Sequence, residues 1–133
     1  MRNYRDLKVW EKAHELTLQL YLTTKAFPKD ELYGLTSQIR RCCISIEANL
    51  AEGCGRRSDA ELGRFLRIAM GSASELDCHL LLTKDLRYMN ADNYKKLHQD
   101  LSEVRRMLTS LLETIESRAN RLKSAKTAAV AKG

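Results

Sequence analysis

Six arginines stand in the middle of the chain: Arg40 and Arg41, Arg56 and Arg57, then Arg64 and Arg67. Lysine would serve solubility as well, whereas arginine's planar fork is shaped for phosphates and carboxylates. Glu47, Glu52, Asp59 and Glu61 lie among them, so six positive charges against four negative leave +2 over the segment. Ordinary surface salt bridges account for Arg41 and Glu52. For Arg56, Arg57, Arg64 and Arg67, which share an exposed turn and an outer helix face, anion binding competes with that reading. A second basic group closes the chain. Arg118, Arg121, Lys123, Lys126 and Lys132 all follow Glu116, the last of the 17 acidic residues, so the +6 net charge falls to +1 for the body. The nucleic-acid-binding candidates are therefore Arg56, Arg57, Arg64, Arg67, Arg118, Arg121, Lys123 and Lys126. The segment 118–133 is alanine-rich and free of aromatics; it reads either as a frayed extension or as a nucleic-acid arm.

Other chemistries find less support. The one Glu-x-x-His, Glu11 to His14, lies on the outer side of its helix and has no second copy to complete a di-metal site. His79 and His98 also point off the core. Cys42, Cys43, Cys54 and Cys78 form no C-x-x-C pair and read as buried thiols in a reducing compartment. Gly53-Cys54-Gly55 follows a helix rather than a strand, and no Lys-Ser/Thr phosphate loop occurs. No strained turn presents a nucleophile. The expectation is a chain with no enzymatic activity, no cofactor and no metal.

The elements that must position the arginines are helices. Val9, Ala13, Leu16 and Leu20 make one stripe on a helix from about Asp6 to Lys25, ended by Phe27 and Pro28. Leu35, Ile39, Cys42, Ile46 and Leu50 make a second, which Gly53 is expected to close in a left-handed conformation. Ser58 caps a third helix, with Glu61 three residues on completing a capping box, and Leu62, Leu66, Ala69, Ala73, Leu76 and Leu80 are its seam. Asn90 caps a fourth, whose seam runs Leu97, Leu101, Val104, Leu108, Leu111, Ile115 and Leu122. Asn49 and Gln38 lie near the core stripe of the second helix and are expected to bond a loop or another helix.

Surplus surface suggests self-association. Trp10, Thr17 and Tyr21 form a second ridge on the first helix, and Ile44, Ala48 and Ala51 sit opposite the core stripe of the second. Gly71, Ser74 and Cys78 give the third helix an outer face of small residues that lets another backbone approach. The expected oligomer interface is Trp10, Tyr21, Ile44, Ala48, Gly71, Ser74 and Cys78.

Composition bounds the whole. With 133 residues, one proline and 30% charged residues, the chain reads as one all-helical domain: an all-α, antiparallel up-down-up-down four-helix bundle over residues 1–117 with a basic tail at 118–133. No apolar run approaches the ~20 residues of a membrane span, and the N-terminus lacks a signal-peptide core, so a cytoplasmic location and no membrane partner are expected.

Several of these residues recur together in a known pattern. Asp6-Leu7-x-Val9-Trp10-x-x-Ala13 opens it, and Phe27-Pro28-x-x-Glu31-x-Tyr33-Gly34-Leu35-x-x-Gln38-x-Arg40-Arg41 follows. Asn49-Leu50-Ala51-Glu52-Gly53, Phe65-Leu66-x-Ile68-Ala69-x-Gly71-Ser72 and Glu75-Leu76 complete it. Over nearly its whole length the chain resembles the bacterial four-helix-bundle proteins encoded in intervening sequences of large-subunit ribosomal RNA genes. It departs at Glu47, where that family often has proline, and at Cys43, where alanine is common. The family is similar to the accessory protein of diversity-generating retroelements, a five-subunit barrel that binds nucleic acid and a reverse transcriptase. The resemblance implies a ring-shaped homo-oligomer, a pentamer first of all, and supplies no catalytic residue. Two functions stand: an oligomeric scaffold that binds RNA or a DNA backbone, or a structural oligomer that meets only proteins.

Overall fold

The computed structural model describes residues 2–132, and within them the helical periodicities resolve into four long helices and no strand. They are α1 (Lys8–Thr24), α2 (Leu35–Cys54), α3 (Asp59–Asp85) and α4 (Ala91–Lys132), with short 3-10 turns at Tyr4–Asp6 and Lys29–Glu31. Helix α1 packs on α2 and α4, and α3 packs on the same two, while the diagonal pairs make no close backbone approach. Short connections between neighbours give the up-down-up-down arrangement.

The expected stripes are the core. Leu20, Ile39, Leu50, Leu66, Leu76, Leu80, Val104 and Leu108 are all fully enclosed. Thr17, Thr24 and Thr83 are buried too, and each donates its hydroxyl to the carbonyl four residues back, which satisfies it without a partner helix.

The ends depart from expectation in instructive ways. Helix α1 begins at Lys8, two residues past the expected start at Asp6, with Leu7 as its N-cap, and Asn3 caps the preceding 3-10 turn by accepting from the Arg5 N–H. Gly53 is not a left-handed stop. It lies inside α2, buried against α3, where a Cβ would come within 2.8 Å of Leu62 Cδ1 and 3.0 Å of Phe65 Cβ. Its role is close approach between helices. Ser58 does cap α3, its Oγ accepting from the Glu61 N–H at 3.2 Å, and Asn90 Oδ1 accepts from Asn93 N–H at 2.8 Å at the start of α4.

Helix α4 has no break at residue 118 and continues through Lys132. It does leave the bundle, because Ile115 is 1% exposed but Leu122 is 57% exposed. Among the described residues only the start of α3 borders Leu122, along an open groove, so its place in the heptad seam is not matched by burial. Asn49 bonds back to Ser45 in its own helix, and Gln38 is an exposed acceptor for Arg41, so neither amide joins α2 to another element as expected. Side chains that do link α2 to α3 include Ser45 and Ser72, 2.7 Å between hydroxyls, and Arg41 with Glu75.

Candidate nucleic-acid interface

Antiparallel packing puts four things at one end of the bundle: the start of α1, the α2–α3 turn, the start of α3 and the departing segment of α4. Asp59 ties them together. Its carboxylate accepts a two-pronged bond from Arg118 (Nε at 3.0 Å, Nη2 at 2.8 Å) and a third from Arg2 at 3.2 Å. Those hydrogen bonds, Arg118's first, hold the Asp59 carboxyl below the usual carboxylate range. The two basic groups, some sixty residues apart in the chain, thus share one surface. A groove between α3 and α4 there is lined by Ser58, Ala60, Ala119, Leu122, Lys123 and Lys126.

The arginines are not equivalent on this surface. Arg56 pairs with Glu52 at 3.0 Å, one turn back, and its guanidinium lies 4.8 Å from the Phe65 ring. Arg67 pairs with Glu116 at 2.8 Å, joining α3 to α4. Arg64 also lies over the Phe65 ring, 5.4 Å from its centroid, and Arg57 is exposed in the turn. Among the described residues, Arg57, Arg64, Arg121, Lys123 and Lys126 have no ion pair. Of the eight candidates, these five have charge to offer. Arg41 belongs to the salt-bridge group as expected, on Glu75, and so does Glu52.

The candidate contact residues fall into two groups. Ile44, Ala48, Gly71, Ser74 and Cys78 are exposed, and a Cβ on Gly71 would meet nothing within 4 Å. Trp10 and Tyr21 are half-buried within the chain itself. Trp10 stacks on His14 at 4.8 Å, Tyr21 carries the Arg40 guanidinium at 4.6 Å, and Thr17 faces α2. The second ridge of α1 is therefore largely spent inside the chain. Two stronger open apolar positions on α1 escaped the sequence reading: Leu18, 53% exposed, and Leu22, 61% exposed.

A different cluster was hidden in sequence. Cys42 on α2 meets Glu75 and His79 on α3, their ligating atoms all within 4.8 Å of one another. Burial, then the bond to Glu75, pushes the Cys42 thiol up to about 12, and the same bond with that of His79 holds Glu75 low. The Glu75-x-x-x-His79 spacing is visible in the chain, but nothing in it points to Cys42. Of the other cysteines, Cys43 and Cys54 are buried as expected and Cys78 is exposed.

Comparison with known proteins bears on this geometry. Residues 5–110 match the family described as 23S rRNA-intervening sequence protein, a span that holds Arg56, Arg57, Arg64 and Arg67 but stops before Arg118. No curated protein matches the chain. A solved structure from Bacteroides thetaiotaomicron VPI-5482, a protein of unknown function from the S23 ribosomal protein family, is 25% identical. It superposes with a TM-score of 0.72 over 79% of this chain and 95% of its own.

Proposed function

Because the chain belongs to the 23S rRNA-intervening sequence protein family, we propose that it is a non-enzymatic oligomeric scaffold that holds structured RNA, or an RNA–protein complex, by its phosphates. One observation carries the reading: the Asp59 link sets the α2–α3 arginine turn beside the basic segment of α4, where Arg57, Arg64, Arg121, Lys123 and Lys126 stand without ion pairs among the described residues. Arg56 and Arg67 already have carboxylates and act as framework.

Recognition would be by backbone charge. Phe65 is buried under two guanidinium groups, the half-buried Tyr4 and Trp10 pack on each other and on Arg5 and His14, and Tyr33, 92% exposed, sits at the other end of the bundle, so among the described residues this surface has no fully exposed aromatic ring on which a base could stack. Binding should be tolerant of sequence and steep in salt.

Titration of an RNA hairpin and a DNA duplex across salt concentrations tests this. Replacing Arg121, Lys123 and Lys126 with Gln should flatten the logarithmic salt slope on duplex by about 2.7, at about 0.9 for each phosphate no longer neutralised. Arg57→Glu with Arg64→Glu should abolish binding. If wild-type protein binds neither nucleic acid at low salt, the chain is a protein-interaction oligomer. The exposed Ile44, Ile68, Leu18 and Leu22 favour that second reading.

A further inference from the structure

Glu75 has an unusual load for a surface carboxylate. Its Oε2 alone accepts from the Cys42 thiol at 3.1 Å, is hydrogen-bonded to His79 Nε2 at 3.1 Å, and pairs with Arg41. Glu75 and His79 stand one turn apart on α3, and Cys42 faces them from α2 with no exposure of its own. Thiol, carboxylate and imidazole therefore point at one spot from two rigid helices. From Ser58 the spot lies some 25 Å along α3, at 1.5 Å per residue, so it is separate from the basic end.

We propose that Cys42, Glu75 and His79 form a binding site for a single zinc-class divalent cation. In a tetrahedral zinc site, bonds of about 2.0–2.3 Å put neighbouring ligand atoms some 3–4 Å apart; Glu75 already stands 3.1 Å from Cys42 and from His79, and all three ligand atoms lie within 4.8 Å of one another. A thiolate with an imidazole and a carboxylate selects zinc or cobalt over magnesium or calcium, which take oxygen ligands. Binding replaces protons: Cys42 loses its thiol H⁺ to solvent, His79 gives up the proton on Nε2 and keeps one on Nδ1, and Sγ and Nε2 bond the ion, while Glu75 exchanges its hydrogen bonds to Cys42 and His79 and its pair with Arg41 for one coordination bond. One thiolate and one carboxylate then balance the ion's double charge. Arg41, whose side chain is 54% exposed, turns out to water as the ion takes its place at Glu75. Three protein ligands leave the fourth position to water or to a ligand from outside.

Chelator-treated protein titrated with Co²⁺ tests the site, since a cysteine ligand produces a thiolate-to-cobalt charge-transfer band in the near ultraviolet. The expected result is one ion per chain, competed off by Zn²⁺, with the band lost in Cys42→Ser and retained in Cys43→Ser and Cys78→Ser. His79→Gln supplies the test if Cys42→Ser fails to fold, because His79 lies at the rim: the band should vanish there and zinc should no longer raise the melting temperature. No thiolate band in the wild type, or a band that survives Cys42→Ser or His79→Gln, overturns the proposal.

Discussion

Arg87 holds a φ of 62°, the one left-handed non-glycine among the described residues, and the bonds around it say why. Tyr88 N–H reaches Thr83 O and Arg87 N–H reaches Lys84 O, both at 3.0 Å, which closes α3 in a Schellman motif with arginine where glycine is usual. A non-glycine residue there costs about 1–2 kcal/mol, part of which glycine gives back through unfolded-chain entropy. Arg87→Gly should therefore raise stability by about 0.5–1 kcal/mol, read as a higher denaturant midpoint with an unchanged slope. Gly53 shows the opposite case. Alanine would gain about 1 kcal/mol of helix propensity but must push back Phe65 Cβ as well as the Leu62 methyl, and overpacking costs about 1–3 kcal/mol. Gly53→Ala should lower the midpoint, and a rise would show that α3 slides aside freely.

At the scale of elements, α4 is two things in one helix: a bundle member up to Ile115, and an extension whose residues 120–131 are all exposed. Deleting residues 121–133 should change unfolding free energy by no more than about 0.5 kcal/mol, while Ile115→Ala should cost about 2–5 kcal/mol. Denaturant melts of the two variants check both numbers. The split also marks where the sequence was readable. The Leu62-to-Leu80 and Leu97-to-Ile115 seams, and the Ser58 and Asn90 caps, were legible because they depend on periodicity and local bonds. Leu122 keeps the same heptad phase, yet whether a seam residue is covered depends on how far the other helices reach. Gly53 was misread for a related reason: a glycine near a helix end looks like a stop, and only the position of Leu62 and Phe65 reveals it as a contact. The arginine turn was visible from the start, but Asp59 as the residue joining it to Arg118 required the fold.

For the whole molecule, the proposed scaffold turns on how many basic ends one RNA meets. A single chain offers Arg57, Arg64, Arg121, Lys123 and Lys126 without ion pairs among the described residues, whereas the proposed ring would present that set once per chain and turn modest contacts into avidity if the ends face the same way. The face that would make such a ring is the Gly71, Ser74 and Cys78 side of α3, where Gly71 has open space around it and another backbone can come close. Leucine at position 71 fills that space without touching the subunit's own core. Gly71→Leu should therefore keep its helical circular dichroism while its mass by light scattering falls to that of one chain. On the same RNA its salt slope should drop with the mass if several ends share one nucleic acid, and stay constant if each RNA meets one end alone. An unchanged mass would reject this face as the contact and leave the exposed Ile44 and Ala48 of α2 as the surface to substitute next.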